Sequence, residues 1–214
     1  MAGIGVKLNN IYGKRTLTTN IIGMGYSTVM TIAPMLTVIG ALCIMEHFLG
    51  FDSVGYATRE LFSCTVLYIF IFSLLTASPF NSVLSKYMSD IIYEETFEDI
   101  LPCYYVGMIL NITFSALFGI SFCIHEYLVG NVDIIYVFTG YCGFVALVLV
   151  FYSMLYLSIC KDYKKISFFF MIGMTVTVLL SFLFVKVIHM SITYGMLLAL
   201  AIGFWLIACL EFAL

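Results

Sequence analysis

The chain has 214 residues, of which 63% are hydrophobic and only 10% are charged, and its formal net charge is -3. A soluble domain carries about 25% charged residues, so this composition could not supply a water-facing surface and excludes an ordinary soluble domain. The mean hydropathy of +1.12 indicates that most side chains face lipid or one another.

Six apolar runs fill nearly all of the chain, and a helix needs roughly 20 apolar residues to cross about 30 Å of hydrocarbon. The runs are approximately 22–49, 61–84, 101–124, 134–159, 166–188 and 194–213. The first is too long for the apolar region of a signal peptide and has no small-x-small cleavage site. The sequence therefore predicts an all-α membrane protein with six transmembrane helices.

Residues 1–20 are predicted to be a cytoplasmic leader, and residues 21–214 a six-helix transmembrane lobe. Basic residues in short loops set the orientation of a membrane protein. A cytoplasmic N-terminus would leave only Arg59 and Lys186 on the outer side. The inner side would then hold the other basic residues, which are Lys7, Lys14, Arg15, Lys86, Lys161, Lys164 and Lys165. This bias predicts that both termini are cytoplasmic. Since the last run ends without a cap or a basic stop, we expect one lobe of a larger transporter.

Small and polar residues recur every four positions in four of the runs, which favours close helix packing. The stripes are Ser73, Ala77, Asn81 and Ser85; Gly107, Asn111, Ser115, Gly119 and Cys123; Gly173, Thr177 and Ser181; and Gly195, Ala199 and Gly203. Asn81 and Asn111 each carry a carboxamide that needs partners in hydrocarbon, so a wet cavity beside them is the alternative. Pro34 and Pro79 fall inside the first two runs, where transporters place broken backbone beside a cavity, although prolines are also common in membrane helices.

Charged side chains are expected only near the ends of the runs, where Glu46, Lys86, Lys186 and Glu211 could reach the interface. We therefore predict no buried carboxylate that could couple transport to an ion. His47, His125 and His189 are expected at the outer interface. The seven cysteines form no C-x-x-C motif and are interpreted as small core residues. No cofactor, metal or catalytic motif is found, so an enzyme is not predicted.

Two motifs resemble a known family. The first begins Met-Ala-Gly-Ile-Gly-Val-Lys-Leu and continues with Gly25-Tyr26-Ser27 and Ala33-Pro34. The second runs from Phe70-Ile-Phe-Ser73 through Pro79 and Val83-Leu-Ser-Lys-Tyr87-Met-Ser-Asp90 to Ile100-Leu-Pro102. These strings resemble the PelG family, the polytopic inner-membrane component of Pel exopolysaccharide export, over about residues 1–107.

The resemblance implies a MATE/flippase-like (MOP superfamily) transporter made of two six-helix lobes around a central cavity, of which this chain would be the N-terminal one. It implies a hexosamine polysaccharide as cargo, with other Pel membrane proteins and a cytoplasmic glycosyltransferase as partners.

On this hypothesis, neutral polar side chains line the substrate pathway. The candidates are Tyr26, Thr31, Pro34, Thr37, Thr76, Pro79, Asn81 and Asn111. An acidic cytoplasmic loop is the candidate partner-docking segment, with Lys86, Asp90, Glu94, Glu95, Glu98 and Asp99. The alternatives are a lipid-linked oligosaccharide flippase, a multidrug or cation antiporter, and a membrane scaffold for the glycosyltransferase.

Overall fold

The computed structural model describes the backbone of residues 17–94, 100–159 and 163–213. Side chains are described from residue 32 onward within those ranges, apart from residues 89, 92, 94, 159 and 163.

Six long helices make up this part of the chain, and it contains no strand. They are α1 (Leu17–Leu49), α2 (Tyr56–Glu94), α3 (Ile100–Leu128), α4 (Ile134–Ile159), α5 (Tyr163–Phe182) and α6 (Ile192–Phe212). A 3-10 turn at Phe51–Ser53 joins α1 to α2, and a π-helical segment at Leu183–Val187 extends α5. All six are long and apolar enough to cross a membrane. The all-α, six-helix prediction is confirmed.

Helices α4 and α6 form the centre of the bundle. Helices α2 and α3 pack on α4, α5 packs on α6, and α1 packs on α5. The sequence explains the central position of α4, because four neighbours in it, Ala146, Leu147, Val148 and Val150, are wholly buried. A helix that is apolar on every face is stable only when it is surrounded by other helices or lipid.

The small-residue stripes are confirmed as helix contacts. On α3, a Cβ added at Gly107 would meet the Tyr152 hydroxyl of α4 at 2.1 Å, and one added at Gly119 would meet the Tyr141 ring at 2.5 Å. On α6, a Cβ at Gly203 would lie 1.8 Å from Thr177 Oγ1 of α5. These glycines allow neighbouring helices to approach closely.

The helix ends correct one expectation. Helix α1 begins at Leu17. Helix α2 continues to Glu94, through residues predicted to be a loop. Residues 84–94 contain no glycine or proline, and Leu84, Met88 and Ile91 are buried at helical spacing. At 1.5 Å per residue the 39 residues of α2 extend about 58 Å, well beyond the hydrocarbon thickness.

The two ends of the bundle are named after Glu211 and Glu126. At the Glu211 end, the ends of α4 and α6 meet the start of α3, since Tyr104 lies 5.3 Å from Tyr152 and 6.4 Å from Phe212 between ring centroids. The opposite Glu126 end contains the α3–α4 connection.

Candidate functional site

A large groove lies between α2, α3 and α4 and has a volume of about 770 Å³. It forms because α2 and α3 turn their small, polar stripes toward α4, which leaves their bulky rings on the flanks that face each other. Rings of α2 and α3 are in contact beside the groove, with Phe72 5.6 Å from Phe122 and Phe80 5.3 Å from Phe114 between ring centroids. Its aromatic lining is Tyr68, Phe72, Phe80, Phe114, Phe118, Phe122, Tyr136, Tyr141 and Phe144.

The groove extends along α2 from Leu61 to Phe80. Nineteen helical steps cover about 28 Å, close to the hydrocarbon thickness. A few polar groups interrupt the apolar lining. The Tyr136 hydroxyl donates to Thr65 Oγ1 at 3.5 Å, and Glu126 lies at one end, 3.3 Å from the His125 ring. A mostly aromatic lining with few polar groups is typical of binding sites for organic molecules.

The structure places two of the predicted pathway residues, Thr76 and Pro79, in the lining of this groove. Pro34 is buried in α1, and its carbonyl accepts a hydrogen bond from Thr37 Oγ1 at 2.7 Å. Because α1 packs on α5, these two residues are not among those that line the groove. The side chains of Tyr26 and Thr31 lie outside the described residues.

The two asparagines lie at helix seams. Asn81 Nδ2 donates to the Phe151 carbonyl of α4 at 3.3 Å, and its Oδ1 is buried without a hydrogen-bond partner. About two helical turns before Asn81 on α2, Ser73 Oγ donates to the Phe144 carbonyl at 3.1 Å. Two side chains of α2 therefore bind the α4 backbone. Asn111 is fully buried on the stripe between Gly107 and Gly119, and neither of its amide atoms has a partner.

The candidate docking segment is described only in part. Lys86 and Asp90 are exposed on the last turns of α2. The side chain of Glu94 and all of Glu95, Glu98 and Asp99 lie outside the described residues.

Glu211 is the residue that sequence reasoning placed wrongly. We expected its side chain to reach the interface, but it is only 4% exposed. Its Oε2 is hydrogen-bonded to Ser153 Oγ of α4, and its Oε1 has no partner. The prediction that this chain has no buried carboxylate is therefore wrong. The reason is that α6 is a central helix, so even its last turn is covered by α4. A serine near the end of α4 was the available signal, and it is weak.

The PelG family model, described as "Putative exopolysaccharide Exporter (EPS-E)", matches residues 1–214. This chain belongs to the PelG family. The match extends over the whole sequence, well beyond the motifs of its first half. No curated protein and no solved structure matches the chain.

Family membership and the six long apolar helices together make the chain a multi-pass protein of the bacterial cytoplasmic membrane. The PelG family is a family of exporters rather than an enzyme class, and its description makes an exopolysaccharide the cargo.

Proposed function

We propose that this chain carries a Pel-type hexosamine polysaccharide across the cytoplasmic membrane, as one six-helix lobe of a MATE/flippase-like transporter. The observation that carries the proposal is the aromatic groove between α2, α3 and α4, which is long enough to cross the hydrocarbon. Its polymer would contact ring faces on one side while a second lobe covers the other.

The chemistry of the lining suits a polymer that must be held weakly and released repeatedly. Sugar rings have apolar C–H faces that pack on flat aromatic rings, and an aromatic contact contributes about 0.5–1.5 kcal/mol beyond its buried area. Thr65, Thr76 and the hydroxyls of Tyr68 and Tyr136 could bond to sugar hydroxyls. Apart from Glu126 at one end, the lining is neutral, which avoids a single deep binding site along the path.

A lipid-linked oligosaccharide flippase is the second candidate, and the same groove supplies the observation that favours it. The lining is mainly apolar, and the flanking residues Leu75, Phe114 and Phe118 are exposed on the bundle surface. A hydrocarbon chain entering from the membrane would meet mainly apolar side chains there. In that case the lipid chain, rather than the sugar, would occupy the groove.

Two kinds of substitution separate these candidates. Tyr68→Leu with Phe122→Leu removes two ring faces but keeps an apolar surface, whereas Thr76→Trp fills the groove. Polymer stacking predicts that both variants lose secretion, the first by roughly tenfold, since two rings supply about 1–3 kcal/mol. A flippase tolerates the leucines and fails only when the groove is filled.

The measurement is secreted polymer per unit of membrane-inserted protein. The matched control is Phe138→Leu, because Phe138 is an exposed ring of α4 that is not among the lining residues. If the leucine pair and the tryptophan variant both secrete at the wild-type rate, the groove is not the pathway.

We also propose that the end of α2 and the segment after it dock the cytoplasmic glycosyltransferase. The support is the length of α2, whose last turns present exposed Lys86 and Asp90 after the end of the apolar run 61–84. The two glutamates and the aspartate at 95, 98 and 99 would add an acidic surface. Replacing residues 94, 95, 98 and 99 with their amides should reduce recovery of the glycosyltransferase with the membrane protein.

A scaffold without transport activity would lose polymer synthesis in the same variant. The exporter instead predicts continued synthesis in isolated membranes, with the polymer failing to leave the cell efficiently.

A further inference from the structure

We infer that Glu211 and Ser153 form a proton-binding site between α4 and α6, with Glu211 holding the proton. This site lies apart from the groove residues and does not depend on the proposed function.

The hydrogen-bond geometry at Ser153 shows where the proton belongs. Ser153 Oγ lies within hydrogen-bond distance of three acceptors: Leu149 O at 3.0 Å, Val150 O at 3.2 Å, and Glu211 Oε2. A serine hydroxyl has one hydrogen to donate but two lone pairs with which to accept. If Glu211 is protonated, its Oε2–H donates to Ser153 Oγ, and the Ser153 hydroxyl donates to a carbonyl one turn back on α4.

If Glu211 is ionised, these same groups have too few hydrogen-bond donors. Ser153 would have to give its only hydrogen to the carboxylate, and Oε1, which has no partner, would hold negative charge away from water. Burial of an unpaired charge is costly, and in practice such a group takes up a proton.

Within the part of the chain that the structure describes, no side chain forms an ion pair with Glu211. Tyr104 of α3 is an electrostatic neighbour of Glu211, and Tyr152 and Tyr156 of α4 lie beside Tyr104. On α5, Lys164 is exposed and Lys165 is half-buried at the first turn. Lys86 and Asp90 of α2 are exposed. Among the described residues, the groups next to Glu211 on α3 and α4 are therefore the neutral hydroxyls of Tyr104 and Ser153.

The packing of α4 against α6 at Ser153 therefore depends on whether Glu211 is protonated. With the proton bound, Glu211 links the ends of the two central helices through Ser153. When the proton leaves, a buried negative charge remains in the seam, and separation of α4 from α6 or entry of water would relieve it. Proton release is thereby coupled to the packing of the two helices at the centre of the bundle.

Infrared spectroscopy of the full-length protein in lipid vesicles tests this assignment. At neutral pH we expect the carbonyl band of a protonated carboxylic acid, which Glu211→Gln removes and Ser153→Ala shifts through loss of its hydrogen bond. Glu46→Gln, a substitution at a half-buried residue near the end of α1, is the control and should leave the band in place.

Thermal unfolding gives a second readout that does not depend on the spectrum. The wild-type Tm should fall as pH rises through ionisation of Glu211, and the Tm of Glu211→Gln should stay level over the same range. If the Glu211→Gln variant leaves the neutral-pH spectrum unchanged, or if both proteins show the same pH dependence, Glu211 is not a proton site. Neither readout involves polymer, so this inference and the export proposal can fail separately.

Discussion

Gly107 is a residue whose missing side chain determines how α3 meets α4. A Cβ at this position would lie 2.1 Å from the Tyr152 hydroxyl, which is buried and donates to the Tyr104 carbonyl at 2.9 Å. We predict that Gly107→Ala lowers the free energy of unfolding by about 1–3 kcal/mol, the usual range for overpacking. Denaturant unfolding in detergent measures the change.

The control for this prediction is Gly40→Ala, since a Cβ at Gly40 meets no atom within 4 Å. Adding Tyr152→Phe to Gly107→Ala removes the clashing oxygen and should recover part of the loss. A double variant no more stable than Gly107→Ala alone would show that the cost does not come from this contact.

Asn111 supports a prediction of the opposite sign. Both of its amide atoms are buried without partners, and burial of unpaired polar atoms costs about 1–3 kcal/mol. Asn111→Leu should therefore leave the Tm unchanged or raise it. A marked fall in Tm would mean that the carboxamide has a partner that stabilises the bundle. If the variant is stable yet fails to secrete polymer, Asn111 acts in transport, as the sequence hypothesis holds.

For single residues, the sequence predicted which positions lie on one ridge of a helix, but it did not predict how deeply each side chain is buried. The four-residue stripe on α3 predicted that Gly107 and Gly119 would be helix contacts, because small residues permit close approach wherever they recur on one ridge. Glu211 could not be placed in the same way. Its burial depends on which helices surround α6, and a single chain segment contains no information about that.

Among the helices, α2 is held to α4 by side chains that donate to backbone carbonyls. Ser73 and Asn81, about 12 Å apart along α2, donate to the carbonyls of Phe144 and Phe151. Hydrogen bonds between membrane helices average about 0.6 kcal/mol, and distant sites usually add. We predict that Ser73→Ala with Asn81→Leu costs about 1 kcal/mol of unfolding free energy.

Ser82→Ala is the matched control, because the Ser82 hydroxyl is exposed and donates only to the Ser78 carbonyl of its own helix. It should change the unfolding free energy little. Equal losses from the control and from the double variant would contradict a role for the two α2–α4 bonds.

The lengths of the helices were only partly predictable. Hydropathy locates the part of a helix that lies in hydrocarbon, and it placed all six spans. It does not mark where the helix ends, since helical hydrogen bonding continues into water when no breaker intervenes. Helix α2 therefore passes through Lys86 and Asp90, in a segment whose charges suggested a loop.

For the whole molecule, the distribution of basic residues predicts that both termini face the cytoplasm. In a cysteine-free background, Asp90→Cys should react with a membrane-impermeant thiol reagent only after the cells are opened, and Val129→Cys should react in intact cells. Both positions are exposed, and they lie toward opposite ends of the bundle. The reverse labelling pattern would contradict this prediction and would place both termini on the outer side.

The arrangement of the helices depends on long-range packing that periodicity does not encode. The sequence predicted six spans and their contact ridges but not that α4 and α6 would be central. It also did not predict the groove, which exists because rings on α2 and α3 lie beside, rather than on, the ridges that contact α4. Thr76 and Pro79 were predicted to line a pathway, and their position in the groove makes them part of the export proposal.

The most direct test of that proposal is to delete the gene and measure polymer in two places. If this chain exports the polymer, isolated membranes from the deletion strain still incorporate sugar into polymer, while extracellular polymer disappears and returns when the gene is restored. Extracellular polymer that persists without the gene would contradict export by this protein. Loss of synthesis in the isolated membranes would also contradict it and would identify the chain as a scaffold for the glycosyltransferase.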